Sequence, residues 1–213
     1  MDGMTRLPAP MPRTGLRRYM LSPQALIDGF HPADCIVLDV DTTGLSPADE
    51  ILRVVGVDGF GRPVINQFFK PERHEYWDSA TAVNGITPAM VANAPFFRPN
   101  IGGLANFFHC YKCIIGYGIG FDLKMLSASG LSLTGGWRIV DVKNIYALVA
   151  GGGFKAPLTT AAARFGYRMR NDGFDAPAMT LFVLEWLMYE AVRSGHALDE
   201  LIARSEGGGG VLP

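Results

Sequence analysis

Residues 36–44 read Ile-Val-Leu-Asp-Val-Asp-Thr-Thr-Gly, and the two aspartates in this stretch are the most informative feature of the chain. Three apolar residues predict the interior of a buried strand, and Thr-Thr-Gly predicts the turn that ends it. Side chains alternate along a strand, so Asp39 and Asp41 should project from the same face. Two carboxylates this close together need a compensating cation, and hard oxygen ligands suit Mg²⁺ or Mn²⁺. A strand end whose acids cap the following turn is the alternative explanation for an isolated Asp-x-Asp pair.

Three motifs in order along the chain give it a resemblance to a known family. Residues 39–44, Asp-Val-Asp-Thr-Thr-Gly, are similar to the first motif, D-x-E-T-T-G, of the DEDD (DnaQ-like) 3′–5′ exonucleases, the superfamily of the DNA polymerase III proofreading subunit. Residues 82–91, Ala-Val-Asn-Gly-Ile-Thr-Pro-Ala-Met-Val, resemble that family's G-I-T-x-x-M-V segment. Residues 114–122, an apolar run that ends in Phe-Asp, are similar to the second motif. The resemblance covers roughly residues 34–190, most of the chain.

The predicted elements are those of an α/β fold. Strands at 35–40, 51–58 and 63–69 are separated by short turns, which indicates an antiparallel meander. Two further strands are predicted at 112–117 and 137–140. Helices are predicted to start at Ser22 and Thr87, and over 99–109, 121–129, 142–149, 158–165, 176–194 and 197–204. Periodicity alone gives a mixed α/β protein; the resemblance implies a ribonuclease H-like mixed sheet, three antiparallel strands and then parallel ones, flanked by helices.

Composition predicts one domain with a substantial core. Hydrophobic residues make up 48% of the chain and charged residues 18%, too apolar for a disordered protein. We expect a single exonuclease-like domain over 21–205, between flexible tails at 1–20 and 206–213. No apolar run approaches the roughly 20 residues of a membrane span, so no membrane partner is expected. The net charge of −1 argues against tracking of long duplexes, but not against a grip on the last few nucleotides of a strand.

The cysteines predict a reducing compartment. Cys35, Cys110 and Cys113 are odd in number, and no second Cys or His pair is spaced to complete a zinc site with Cys110 and Cys113. We therefore interpret both residues of the C-x-x-C sequence as small core residues. The expected location is cytoplasmic.

The resemblance implies a site that hydrolyses phosphodiester bonds with two Mg²⁺ or Mn²⁺ ions about 4 Å apart. Four carboxylates from separate elements would hold them: Asp39, Asp41, Asp122 and Asp175. Leu45 matches an apolar residue that wedges against the terminal bases, although packing within its loop is an equal alternative. The implied substrate contacts are Thr42, Thr43, Gly44, Leu45, Phe121, Arg170 and Asn171.

Motifs one and two depart from the family pattern. Asp41 stands where the family usually has Glu, and the missing methylene retracts the carboxylate by about 1.5 Å. A misplacement of about 1 Å can cost about 100-fold in rate. Tyr117 and Gly118 stand where the second motif usually offers His and Asn, which leaves Asp122 in place without a polar neighbour.

Motif three lacks its general base in either register. The family places a His five residues before the last Asp, or a Tyr four residues before it. With Asp175 as that Asp, Arg170 falls at the His position and Asn171 at the Tyr position. In the alternative register Asn171 replaces His and Ala176 replaces Asp. Loss of a general base costs about 100- to 10,000-fold, so either a slow enzyme or an inactive one is expected.

Two functional hypotheses follow. The first is a metal-dependent 3′–5′ exonuclease that acts on single-stranded DNA or RNA ends, with a possible protein partner in DNA or RNA metabolism. The second is a degenerate module that binds nucleic-acid ends or a protein partner without cleaving. Retention of the acids favours the enzyme, because clustered like charges gain nothing without a metal; loss of the base favours the second.

Overall fold

A mixed five-stranded sheet is the centre of the fold. The computed structural model describes residues 31–133, 135–150, 153–193, 200 and 203. The sheet has the order β3-β2-β1-β4-β5, with β1 in the middle. β1 is antiparallel to β2 and parallel to β4, β2 is antiparallel to β3, and β4 is parallel to β5. The strands are β1 Cys35–Thr42, β2 Ile51–Asp58, β3 Pro63–Phe68, β4 Cys113–Gly116 and β5 Arg138–Asp141. The predicted α/β fold is confirmed.

Helices flank this sheet. Among the helices of the described residues, none combines the length and the apolar character needed to cross a bilayer. The helix predicted to start at Ser22 and both predicted tails lie outside the described residues, as does the one predicted at 197–204 except for Glu200 and Ala203. The helices are α1 Asp78–Asn84, α2 Pro88–Val91, α3 Ile101–Phe108, α4 Gly120–Ala128, α5 Val142–Val149, α6 Leu158–Arg164 and α7 Asp175–Arg193.

Both faces of β1 are buried, which sets the direction of its two acids. Ile36 and Leu38 pack into an apolar cluster with side chains of α3 and α4. Cys35 and Val37 face the opposite cluster, which α5, α6 and α7 complete. Each fully buried aliphatic side chain of this kind contributes about 1.5–3 kcal/mol. Since side chains alternate along a strand, Asp39 continues the face that α7 covers.

The cysteines occupy two different environments. Cys35 and Cys113 are buried and lie opposite each other in the parallel pairing of β1 with β4. Cys110 is exposed, so its interpretation as a core residue was wrong. It lies in the turn after α3, outside the strand that buries Cys113.

Candidate active site

The acids of motifs one and two meet at the end of β1. The pairing of β1 with β4 runs only as far as Val37 opposite Ile115. Beyond it, the N–H of Val40 donates to Oδ1 of Asp122 at 2.8 Å. Asp122 lies in the first turn of α4, so this bond fixes the start of the helix against the central strand. The carboxylate thus satisfies a buried N–H that no strand partner reaches.

The pKa values of all three carboxyl groups are raised, which indicates that nearby positive charge does not fully compensate their negative charge. Burial, together with the charge of Asp41, raises the pKa of Asp39 from 3.8 to about 7, and Arg53 opposes the rise. Burial also raises the pKa of Asp122 well above its ordinary value; repulsion from Asp39 adds to this, and the Val40 N–H bond reduces it. Burial raises the pKa of Asp41 as well, although Arg53 counteracts it by charge and hydrogen bond. The three carboxylates are therefore close enough to interact electrostatically.

Arg53 is a member of the site that the motifs did not predict. Its Nε donates to Oδ2 of Asp41 at 2.7 Å, and its Nη1 donates to the carbonyl of Gly173 at 3.1 Å. Antiparallel pairing of β1 with β2 sets Asp41 opposite Arg53. A signal did exist in the sequence: Arg53 is the single charged residue within the apolar run at 51–57.

Asp175 is placed differently from the other three acids. It begins α7, and its two oxygens accept the N–H groups of Arg170 and Asn171, both at 2.8 Å. The Tyr167 hydroxyl lies 3.5 Å from the same carboxylate. The Asp175 carboxylate is therefore occupied by hydrogen bonds to the loop that precedes α7. Within the described part of the chain, no three His, Cys, Asp or Glu side chains stand close enough to ligate one ion as they are arranged.

The turn after β1 is tightly bonded. Thr42 donates its hydroxyl to the carbonyl of Gly44 at 2.6 Å, and Thr43 donates its hydroxyl to Asp49 at 3.1 Å. A Cβ on Gly44 would lie 2.6 Å from Oδ2 of Asp49, so any larger residue would force the Asp49 carboxylate to shift. Asn84, at the end of α1, donates its amide to the carbonyl of Thr42 at 3.2 Å and is a second contact that the motifs missed.

The remaining predicted substrate contacts differ in accessibility. Leu45 is 81% exposed, which excludes packing within its loop as its role. Phe121 is half-buried and packs against the apolar cluster between the sheet and α4. Arg170 and Asn171 are both exposed, and Arg170 pairs with Asp172 at 2.8 Å.

The motif-two substitutions have local structural explanations. The Tyr117 hydroxyl donates to the carbonyl of Ala156 at 2.7 Å, and burial raises its pKa further above the ordinary value. Gly118 has φ of 75°, a backbone conformation that favours glycine, and its N–H donates to Asp141 at 2.9 Å. Tyr117 is thereby tied to the chain near α6, and Asp141 orders the turn that precedes Asp122.

A mixed sheet in this order, with carboxylates at the end of its central strand, defines a ribonuclease H-like fold of the exonuclease type. Residues 36–130 match the RNase T family model, which is described as "Exonuclease". This match to an exonuclease domain covers a little under half of the chain, and it confirms the predicted resemblance to the DEDD exonuclease superfamily.

The relatives agree with this assignment. The chain is 33% identical over 93 residues to the uncharacterised exonuclease CP81 of Escherichia phage 186, an alignment that covers 44% of this chain and 47% of that protein. It therefore spans about half of the curated relative that it matches. Exonuclease X in complex with 5′ overhanging duplex DNA is similar in fold, with a TM-score of 0.55, 15% identity and coverage of 80% of this chain and 99% of that one. The zinc-bound E. coli exonuclease I complex with single-stranded DNA has a TM-score of 0.58, 17% identity and coverage of 79% and 42%.

Proposed function

We propose that this chain is a metal-dependent 3′–5′ exonuclease that hydrolyses single-stranded DNA or RNA ends. One observation supports the proposal: Asp39, Asp41 and Asp122 interact electrostatically at the end of β1, where burial raises the pKa of all three and repulsion within the group also raises those of Asp39 and Asp122. Such a cluster costs stability unless a cation or a proton neutralises it. In a chain with an exonuclease domain, we expect a divalent cation to neutralise these charges, because the same ion can also promote phosphodiester hydrolysis.

The donor set fits a hard cation, because carboxylate oxygens are the ligands that Mg²⁺ and Mn²⁺ prefer. Asp39, Asp41 and Asp122 would hold the metal, and Asp175 would join them once its loop releases its two N–H bonds. Two ions, when bound, supply an activated water and stabilise the charge on the leaving 3′-oxygen. Asp122 is held for this task by the Val40 N–H, which fixes its carboxylate beside the strand.

The substrate would enter over the turn that follows β1. Main-chain groups of Thr42, Thr43 and Gly44 would seat the last nucleotide, and the exposed Leu45 side chain offers an apolar surface to its base. The exonuclease X and exonuclease I structures were determined with DNA, which supports nucleic acid as the substrate class. A single domain over 21–205, a cytoplasmic location and a protein partner in DNA or RNA metabolism remain predictions.

The non-cleaving alternative is less favoured. Its support is the loop before α7, which presents Arg170 and Asn171 where the family has His or Tyr. Arginine does not act as a base near neutrality, since its pKa exceeds about 12. It does act as a charge-assisted donor to phosphate, so its presence is consistent with substrate binding in a slow enzyme.

The polarity of cleavage provides the direct test. With Mn²⁺ and a 5′-labelled single strand, we expect a ladder of products that shortens from the 3′ end. A 3′-labelled strand is the control, and it should release its label as a mononucleotide in the first turnover. Removal from the 5′ end would contradict the proposed polarity, and an intact strand that is nevertheless bound would favour the non-cleaving module.

Restoring the missing base tests the register of motif three. If Asp175 is the fourth acid, Arg170→His should raise the cleavage rate by about 100-fold, the low end of the range for a general base. Arg168→His, at an exposed position two residues earlier, is the matched control and should have no effect. An increase with Asn171→His instead would establish the other register, in which Asp175 is not a ligand. If neither variant is faster, the defect lies in motif one or two.

A further inference from the structure

We propose that Arg53 is a positioning residue whose guanidinium occupies the place of a cation at Asp41, so that a divalent ion must displace it in order to bind there. The inference rests on the proposed metal dependence of the site and adds to it a residue that controls metal affinity. Arg53 itself, in β2, lies outside all three motifs, although its partner Asp41 belongs to the first.

The Arg53–Asp41 ion pair is largely shielded from solvent. Side-chain exposure is 14% for Arg53 and 12% for Asp41, and Nε and Oδ2 are 2.7 Å apart. Ion pairs screened from water interact more strongly than those at the surface. The Arg62–Asp58 pair has a similar separation of 2.6 Å, but the Arg62 side chain is 69% exposed. The chain thus offers an exposed pair of the same kind for comparison.

The three acids are not equivalent as metal ligands. Oδ2 of Asp41 accepts a hydrogen bond from the Arg53 guanidinium at 2.7 Å, whereas Oδ1 of Asp122 accepts the uncharged N–H of Val40 at 2.8 Å. Asp41 is thus the carboxylate that already has a cation. An ion that approaches Asp41 must therefore break a charge-assisted hydrogen bond.

Arg53 also connects the site to the loop that carries Asp175. Its Nη1 donates to the carbonyl of Gly173, two residues before Asp175. The guanidinium lies 5.5 Å from the centre of the Phe68 ring, so an aromatic face remains beside it when Asp41 is lost as a partner. One side chain therefore ties Asp41 of β1 to the loop before α7, and a shift of Arg53 would loosen both.

Metal titration of matched variants tests this role. Calorimetry with Mn²⁺ at low ionic strength should show that Arg53→Met, which keeps an apolar stem of similar length, binds the ion about tenfold more tightly or better. Arg53→Lys retains the positive charge and should bind with nearly wild-type affinity. Arg62→Gln removes the exposed cation of the other pair and should not change Mn²⁺ affinity. In an Asp41→Asn background, Arg53→Met should lose most of its effect, since the carboxylate that it frees is absent.

The readouts separate this inference from the proposed function. If the wild type cleaves DNA with Mn²⁺ while Arg53→Met binds the ion no better than wild type, the role of Arg53 is overturned and the exonuclease proposal stands. If neither protein binds Mn²⁺ and the wild type does not cleave, both are overturned. Should Arg53→Met fail to fold by circular dichroism, Arg53→Gln is the second variant. It retains an amide donor for Gly173 and is expected to show the same tightening; unchanged affinity there also overturns the inference.

Discussion

Asp39→Ala should reduce cleavage of a 5′-labelled strand by at least about 100-fold, since even a displacement of about 1 Å in such a site costs that much. Asp39 interacts electrostatically with both other acids: besides burial, the charge of Asp41 raises the pKa of Asp39, and the charge of Asp39 raises the pKa of Asp122. Its loss therefore removes the centre of the proposed metal site. The rate should be measured as the release of nucleotides at saturating Mn²⁺.

The control is Asp78→Ala, which removes an exposed carboxylate in the first turn of α1 and should leave cleavage unchanged. Cleavage by Asp39→Ala at the wild-type rate would show that the hydrolysis comes from a contaminating nuclease or from another part of the chain.

In metal-free solution, the negative charge of Asp39 should lower the free energy of unfolding. Burial raises the pKa of Asp39 from 3.8 to about 7, so the folded protein binds a proton that the unfolded chain releases between these pH values. The free energy of unfolding should therefore fall as the pH rises from about 4 to about 7. Asp39→Asn removes the charge, and it should stabilise the metal-free protein above pH 7 by up to about 4 kcal/mol, at about 1.4 kcal/mol for each pKa unit.

Urea unfolding in EDTA at pH 5 and pH 8 measures this effect. The stability gain of Asp39→Asn over the wild type should be larger at pH 8 than at pH 5, because most of the penalty for the Asp39 charge accumulates between these two pH values. Asp58→Asn is the contrasting variant, because Asp58 is a buried acid whose oxygens accept N–H groups from Phe60 and Arg62. It should destabilise the protein by about 1–3 kcal/mol. If Asp39→Asn were less stable than the wild type at pH 8, the prediction that the Asp39 charge destabilises the metal-free protein would be wrong.

The sheet could be predicted from sequence because its signals are local. The predicted bounds of β2 are the observed ones; the predicted β3 is one residue too long at its C-terminal end, and the predicted β4 is one residue too long at each end. Helix α1 was missed for a physical reason. It buries no residue, and Trp77 at its N-cap makes no side-chain capping bond, so neither periodicity nor a capping sequence marks it.

The site was only partly predictable, since its two main surprises depend on tertiary contacts. Asp39, Asp41 and Asp122 follow from motifs within single elements. The pairing of Asp41 with Arg53 depends on the register between two strands, and the bond from Arg53 to Gly173 joins residues far apart in the chain. The engagement of Asp175 by Arg170 and Asn171 depends on a loop in which Asn171 has φ of 54°.

The reactivity of the buried cysteines reports whether strands β1 and β4 of the central sheet are paired. A hydrogen bond between the Cys35 and Cys113 side chains, together with burial, raises the pKa of the Cys35 thiol far above its ordinary value. The thiolate is the form that reacts with alkylating reagents, so Cys35 stays inert while β1 and β4 remain paired. Exposed Cys110 has no such protection. Modification of Cys35 therefore marks a molecule whose β1 and β4 have separated, whereas Cys110 marks every molecule, and the ratio of the two measures how often the strand that carries the acids comes apart.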